Sequence, residues 1–527
     1  MKHRYLTLTV GYLMGAVMFF CPGLLRAAEE KPAVANKSIF VEKFIFSGNS
    51  VISSEELDGI VKDYAKKNLA FSDIQKVADL ITAEYWKRSH VTAKAYIPEQ
   101  RVENNVIKIA VQEGRIGAVK IQGNHPYYST EFIEKHFSPV LKQSAFNQDS
   151  LERALLVLND YPKLKVAAVL VPGTEPGTSD IVVTADNSLP VSLTLDYNNF
   201  GSKYVSGRSR FGLTLDVGNL IKEGSILSIK GQTGERPDEF WYGRAYYSVP
   251  LNTLGTRLAA YYAIGNIDVG QEFDVLNIHG KSKNFGVTIS HPFIKKRLET
   301  LTAEFGFDYK DSRLYSLDDI MLNHDKVSSI KLGVSYERTD THGRTFASLY
   351  LTQGLGHALG GMENNDVLAS RAGADNSFTK VNINGIRLQR LSPSFYIVAK
   401  GSAQWASDSL LVSEQYYIGG QDSVRGFVQG ERAGDSGYSI SGELRVSPFT
   451  NKEIVQFVVF ADNGTVYIKN PPVGFENHHS MTGAGGGIRL NLPYEFNIKA
   501  DLGFPIFPSV GLSGKHSMFY LQISKRF

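Results

Sequence analysis

LTAEFGFDY, residues 301–309, alternates without a break. Leu301, Ala303, Phe305, Phe307 and Tyr309 fall on one face of a strand, and Thr302, Glu304, Gly306 and Asp308 on the other. The run from 329 repeats the pattern, with Ile330, Leu332, Val334 and Tyr336 opposite Ser329, Lys331, Gly333 and Ser335. Soluble sheets can also have one apolar face. Here, however, the strands are long, and from about residue 188 to 527 no helical pattern intervenes to cover that face. Outside the N-terminus there is no apolar run of the length a membrane-spanning helix needs. A closed barrel is the other structure that satisfies its backbone in lipid.

Sixteen strands are predicted in this region, centred near residues 194, 212, 228, 244, 261, 287, 304, 333, 349, 383, 399, 442, 458, 487, 499 and 521. Their spacing of about 21 residues fits a mid-sized outer-membrane barrel. The last one, FYLQISKRF, puts Phe519, Leu521, Ile523 and the terminal Phe527 on one face. The composition agrees: among 527 residues, Gly (49), Tyr (26) and Phe (30) are plentiful, which suits β structure.

The first residues read as an export signal. Lys2, His3 and Arg4 precede an apolar run from Leu6 to Phe20, and Ala27–Ala28 offers a cleavage site, giving a signal peptide over 1–28. Lipid attachment at Cys21 fits less well, because two Phe side chains precede it. Cys21 is the one cysteine, so the mature chain can form neither disulfides nor thiolate metal sites. The formal charge of +3 comes entirely from Lys2, Arg4 and Arg26, leaving residues 29–527 balanced and without the basic excess of a nucleic-acid binder.

Residues 38–187 differ in character. SIFVEKFIFSGN (38–49) ends in a Gly-Asn turn. A helix is predicted from Ser53, which with Glu56 makes a capping-box pattern, and a second from Ser72, with Gln75 three residues on. The second carries an apolar stripe of Ile74, Val77, Ala78, Ile81 and Tyr85. Strands follow at 91–98 and 106–114. The order then repeats: IGAVKIQGN (116–124) again ends in Gly-Asn, followed by helices at 129–142 and 148–160 and strands at 164–171 and 180–185. Both units read β-α-α-β-β.

Two further stretches face each other on paper. Val424-Arg425-Gly426-Phe427 sits in a long Gly-, Ser- and Asp-rich connector between the eleventh and twelfth strands. A structureless segment of that length is functional or disordered. In IVQFVVFADNG (454–464), Val455, Phe457, Val459 and Ala461 would face lipid, and Gln456, Phe460 and Asp462 the lumen. A lumenal acid wants a cation, and a guanidinium meets a carboxylate through two parallel hydrogen bonds. A connector folded into the lumen would bring Arg425 to Asp462, with Gly426 permitting the turn at its tip.

These motifs carry a resemblance. Ala95-Tyr96-Ile97-Pro98 and Glu113-Gly114-Arg115 resemble the POTRA pair of the TpsB transporters of two-partner secretion, in the Omp85 superfamily. Val424-Arg425-Gly426-Phe427 and Phe460-Ala461-Asp462-Asn463-Gly464 resemble that superfamily's inner-loop and barrel-wall signatures.

The resemblance implies an α+β part followed by an all-β part. Two POTRA domains (38–114 and 115–187) would follow a short segment 29–37 and lie in the periplasm, ahead of a 16-stranded antiparallel transmembrane β-barrel (188–527) in the bacterial outer membrane. It also implies export of a partner exoprotein that carries an N-terminal secretion domain. Outer-membrane lipid and the barrel-assembly machinery would be further partners, with no cofactor, no metal and no nucleic acid. Arg425 and Asp462 would form the lumenal pair, supported by Val424, Gly426, Phe427, Phe460 and Gly464. The second strand of each POTRA unit would be a free edge for cargo, with Lys94 and Ala168 as test positions.

Some members of the family plug the pore with an N-terminal helix. Residues 29–37 contain Pro32 and are too short for one, so occlusion is expected from the connector around Arg425.

GDSG (434–437) looks like a protease nucleophile but reads better as a turn, and His478-His479 lacks a third metal ligand and reads as loop. With no catalytic constellation, the expectation is a non-enzymatic translocase. An assembly factor for other barrels is the alternative. A passive porin and a lipid hydrolase fit less well, because the first needs no POTRA repeat and the second needs a nucleophile motif.

Overall fold

The computed structural model describes residues 38–527 except 318, 450–453, 472 and 513. The predicted signal peptide and the segment 29–37, with Cys21 and Pro32, lie outside the described residues.

The first unit contains β1 (Ile39–Val41), β2 (Lys43–Ser47), α1 (Ser54–Val61), β3 (Lys67–Leu69), α2 (Phe71–Lys87), β4 (Lys94–Tyr96) and β5 (Val106–Gln112). Its main sheet has the order β2-β5-β4, and β1 and β3 form a separate pair. Ser53 caps α1 by accepting from the Glu56 amide, as the sequence suggests, but the Glu56 side chain turns away to pair with Arg88. The α2 helix starts earlier than predicted. Ala70 is its N-cap, and Asp73, not Gln75, reaches back to the Ala70 amide at 3.3 Å. The expected stripe is buried against the sheet together with Phe44, Ile107 and Ile109.

The second unit contains β6 (Arg115–Gln122), α3 (Thr130–Lys135), α4 (Ser138–Leu141), α5 (Gln148–Asn159), β7 (Leu164–Pro172) and β8 (Thr178–Asn187), with sheet order β6-β8-β7. The helix predicted over 129–142 is broken into α3 and α4. Pro139 has no amide to donate back into the preceding turn, and its ring would collide with it.

The repeated Gly-Asn has one physical cause in both units. Gly48 (φ +76°) and Gly123 (φ +110°) leave the first strand in the left-handed region. A Cβ on either would fall 2.3 Å from the Val111 carbonyl oxygen or 2.2 Å from that of Ala185, on the sheet's central strand.

The barrel begins with β9 (Val191–Asn198), β10 (Arg210–Gly218), β11 (Ile226–Thr233), β12 (Phe240–Pro250) and β13 (Arg257–Val269). It rises through the long β14 (Ile278–Lys296), β15 (Glu299–Ser316) and β16 (Ile320–Asp340). It continues with β17 (Gly343–Gly354), β18 (Thr379–Arg390) and β19 (Phe395–Ala406). Between β19 and the next wall strand, the short β20 (Tyr416–Ile418) and β21 (Arg432–Gly434) pair only with each other. The wall is completed by β22 (Ser436–Val446), β23 (Val455–Tyr467), β24 (His478–Leu492), β25 (Phe496–Phe507) and β26 (Met518–Arg526).

Sixteen strands close in antiparallel order, and every predicted centre falls inside its strand. Closure runs from Gln522↔Asn198 to Arg526↔Thr194. The backbone of Phe527 extends the ladder onto Leu193, and the Asn199 side chain completes it against Phe519 and Leu521. Among the described residues no helix is long and apolar enough to cross a membrane; strands do the crossing.

The α5 helix of the second unit docks beneath the barrel. Arg153 donates to the carbonyls of Leu254, in the turn between β12 and β13, and of Pro292 and Phe293, at an irregularity in β14. Lys296 pairs with Asp149 at 2.8 Å and Lys295 with Asp160 at 2.7 Å.

The Glu-Gly-Arg motif also has a structural task. Glu113 accepts from the amides of Ser50 (2.6 Å) and Val51 (2.8 Å) and from the Tyr85 hydroxyl (2.8 Å), tying the loop before α1 to α2. Partial burial pushes its carboxyl up, but the Ser50 hydroxyl, together with these donors, outweighs burial and holds it below its ordinary value of 4.5. A lowered folded-state value gives stability that is present above the unfolded value and lost as pH falls through the folded one. We therefore expect Glu113→Gln to destabilise the 38–187 fragment by about 1–2 kcal/mol at pH 7 in urea unfolding. The gap to wild type should narrow as pH falls through the lowered folded-state value. A gap that did not change with pH over the acid range in which the fragment stays folded would show that the charge is not what Glu113 contributes.

Candidate functional site

The connector between β19 and β22 (407–435) folds into the lumen and brings Val424-Arg425-Gly426-Phe427 to the wall formed by β22–β26. Asp462 lies on β23 and faces inward because alternation puts even-numbered residues of that strand on the lumenal side, while Phe457 and Val459 are exposed on the lipid side. The two charges meet in a fork. Arg425 Nε donates to Asp462 Oδ2 at 2.7 Å and Nη2 to Oδ1 at 2.8 Å, and the Arg425 amide adds a third bond at 3.1 Å. The guanidinium carbon sits 3.4 Å from the centre of the Phe460 ring, so the motif's aromatic supports the cation from its face.

The pair is the centre of a larger cluster. Arg425 Nη1 also donates to Glu443 on β22 at 2.7 Å and lies 3.5 Å from Asp501 on β25. Arg489 on β24 holds Asp501 through two bonds, at 2.6 and 3.0 Å, while Arg445 and Lys400 reach Glu443 at 2.6 and 3.7 Å. Gln421, four residues before Arg425, donates to Asp501 at 2.8 Å. Arg425, Asp462, Glu443 and Asp501 are each no more than 2% exposed. Burying charge at this density costs heavily unless every charge is paired, and here each carboxylate meets at least one guanidinium.

The tip is also held through its backbone. Gly426 has φ +109°, and a Cβ there would press on the Phe504–Pro505 backbone at 2.7 Å. Opposite it, Gly483 and Gly503 leave no side chain between strand and loop: a Cβ on Gly483 would fall 1.8 Å from the Arg425 carbonyl oxygen. The Tyr520 hydroxyl of β26 accepts from the Gly426 amide at 3.0 Å and donates to the Phe427 carbonyl. Val424 and Phe427 are buried with Ile418, Val466 and Met481, and a Cβ on Gly464 would meet Val424 at 3.0 Å.

Sequence reasoning did not find Glu443, Asp501, Arg489 or Tyr520. Glu443 and Asp501 had a signal, because each falls on the lumenal face by alternation, as Asp462 does.

The remaining motifs lie elsewhere. His478 and His479 begin β24 rather than lying in a loop, and no metal-binding group occurs among the described residues. GDSG joins β21 to β22: Asp435 is fully buried and accepts from Arg371 and from the Leu410 and Lys469 amides, and Ser436 accepts from the Ala406 amide.

Lys94 and Ala168 lie on the edge strands β4 and β7. On β4 the outward groups are largely taken by α2: Thr82 accepts from the Ala95 amide at 2.9 Å, and Trp86 donates to the Ala93 carbonyl at 3.0 Å. Because backbone direction alternates, Lys94 itself faces its partner Gln112 on β5 and not the open side. On β7 the Asn159 amide occupies both groups of Val166, and the outward backbone groups of Ala168 and Leu170 have no hydrogen-bond partner among the described residues.

Comparison with known proteins fits this architecture. Residues 177–490 match the family described as haemolysin secretion/activation protein ShlB/FhaC/HecB, and residues 39–114 match the ShlB-type POTRA domain. The chain belongs to this family. Its members are two-partner secretion transporters, so the chain is an outer-membrane transporter whose POTRA domains lie in the periplasm and whose partner is a secreted exoprotein. It is 25% identical to the heme/hemopexin transporter protein HuxB of Haemophilus influenzae, over 91% of this chain and 85% of that one. It is 22% identical to the outer membrane transporter CdiB of Escherichia coli O6:K15:H31 (strain 536 / UPEC), over 81% of this chain and 72% of that one. The solved structure of CdiB from Escherichia coli superposes with a TM-score of 0.80 at 19% identity, over 95% of this chain and 93% of that one.

The transporter's loop should depend on the charge at its tip. Arg425→Ala leaves three buried carboxylates sharing fewer cations, at a cost of about 3–5 kcal/mol. The connector 407–435 should then become cleavable by trypsin at Arg432 in detergent, while the barrel keeps its heat-modifiable mobility on gels. Protection equal to wild type would show that Arg425 does not hold the loop.

Proposed function

We propose that the transporter captures its exoprotein, through an N-terminal secretion domain, as an unfolded chain on the second POTRA unit and passes it through the lumen once the connector carrying Arg425 has moved. The domain limits we propose are 38–114 and 115–187 for the POTRA units and 188–527 for the barrel, itself inserted by the barrel-assembly machinery into outer-membrane lipid. The observation that carries this reading is the Arg425 cluster. A buried, bidentate, four-strand charge site inside a conduit has no use in packing a core that apolar residues could fill, but it gives a loop one closed position.

The transporter performs no bond-making step in this reading. The protein supplies a docking edge, a path and a closure, and transport is driven by binding on one side and folding on the other.

Docking by strand addition follows from the unpaired edge at Ala168 and Leu170. An extended peptide could pair there through its main chain, with little demand on its sequence, as a carrier of a long polypeptide requires. The first unit is less suited, because Thr82 and Trp86 already occupy the outward groups of β4.

Two outcomes test the proposal. Arg425→Ala and Asp462→Ala should each cut the exoprotein recovered from the medium by at least about tenfold while the barrel assembles. Wild-type secretion by either variant would remove the cluster from the mechanism. Ala168→Pro should weaken binding of the exoprotein's N-terminal domain, measured by titration calorimetry on the 38–187 fragment, with the fold checked by circular dichroism. Undiminished affinity in a folded variant would rule out pairing at that edge. Lys94→Pro would disturb the ladder to Gln112 instead, and serves as a structural control.

A further inference from the structure

A second connector also occupies the outer end of the lumen. The β16 strand is 21 residues long and pairs with β17 only from Ser329 downward, so its upper part presents an open edge. Residues 355–378, between β17 and β18, cover that edge. Leu355 donates to Ser328 at 3.0 Å, Met362 to Lys326 at 2.9 Å, and His324 to Leu368 at 2.8 Å. Asp325, which faces the lumen, accepts from the Ser370 amide at 2.9 Å and hydroxyl at 2.6 Å. Met362 and Ala374 are buried with Val327, Phe378, Ala406, Leu410 and Leu411, so this connector packs directly on the first residues of the one that carries Arg425.

One cation ties the two connectors. Arg371 donates to the Leu410 carbonyl at 2.7 Å, pairs with Asp435, and reaches the Lys469 carbonyl at 3.4 Å. Asp435 also accepts from the Leu410 and Lys469 amides, each at 2.7 Å. The inner connector is thus fixed at its tip by the Arg425 cluster and at its root by Arg371. At this level a cavity of about 630 Å³ lies between the β11–β16 wall and Ser370, Val412 and Tyr417. The 355–378 connector rests on Leu410 and Leu411 whether or not Arg425 is released, so release of the Arg425 site alone leaves this contact in place.

We infer that residues 355–378 form a second stopper in the conduit, and that Arg371 is the positioning residue that locks it to Asp435, separately from the Arg425 lock. The inference rests on the chain being a conduit. Its test needs no exoprotein, so a failure of secretion and a failure of this lock are read in different assays.

The test uses the full chain in planar bilayers. Arg371→Ala, shown folded by heat-modifiable mobility, should raise the fraction of time spent in large-conductance openings by about tenfold over wild type. The cysteine pair Ser370→Cys/Val412→Cys joins the two connectors at a point where the Val412 amide already donates to Ser370 Oγ at 3.0 Å. Cys21, the one native cysteine, lies in the predicted signal peptide. Added to Arg371→Ala, the oxidised pair should return openings to the wild-type level, and reductant should release them. Wild-type conductance in folded Arg371→Ala overturns the inference, as does failure of the oxidised pair to suppress the openings. If Arg371→Ala does not assemble, the pair in the otherwise native chain decides: oxidation must abolish the spontaneous openings of the reduced protein, and openings that persist overturn the inference.

Discussion

In a bilayer every strand must have both edges paired, and the rest of this transporter follows from that constraint. Closing sixteen strands puts one face of every strand in lipid and the other around an enclosed space. The outer face then has to be apolar, as at Phe305, Leu332 and Val459, while the inner face is free to carry charge. The inward acids Glu443, Asp462 and Asp501 come from three different strands, and closure brings them to one place. The barrel closes at the seam between β9 and β26. There the ladder is short and is extended by the backbone of the last residue and the side chain of Asn199.

A lumen bordered by charge invites a counter-ion, and the chain provides its own. Arg425 is delivered on a loop rather than a strand, so the cluster is a stable contact and also a separable one. Gly426, Gly483 and Gly503 allow the loop backbone to lie against the wall with no side chain between them. Tyr520 gives the same tip a hold on the last strand, so the loop bridges the wall from β22 to the edge of the seam. At the loop's root, Arg371 and Asp435 repeat the principle with a different connector. Both sites use arginine, whose planar fork meets both oxygens of one carboxylate, Asp462 in the first and Asp435 in the second.

The periplasmic units show the same economy on a smaller scale. Each is a three-stranded sheet with a strand at either edge, and an unprotected edge is a hazard. In the first unit the helix α2 closes most of one edge with Thr82 and Trp86. In the second, Asn159 covers only the start of β7. The difference comes from side chains on helices, not from the strands themselves. The second unit is also the one fixed to the barrel through Arg153, so its open edge is held near the mouth of the conduit.

The sequence by itself determined what depends on local periodicity. Alternation such as that of 301–309 fixed which face of each strand meets lipid, and the centres of all sixteen strands followed. The two Gly-Asn turns marked the repeat, because only glycine fits where a Cβ would strike the central strand. Arg425 and Asp462 were legible as a pair, since one sits in a loop too long to be idle and the other on an inward position of its strand. Local signals gave less at helix ends, where Ala70 and Asp73 replaced the expected cap and Pro139 split a helix. Only the tertiary structure decided which of many inward charges come together. Glu443, Arg489 and Asp501 are separated along the chain by turns whose length says nothing of height in the barrel, and their meeting is set by strand register and closure. The tie from Arg371 to Asp435 was unreadable for the same reason: a loop's landing place depends on which wall edge is left open above the membrane, and that edge exists only once β16 outgrows its neighbour.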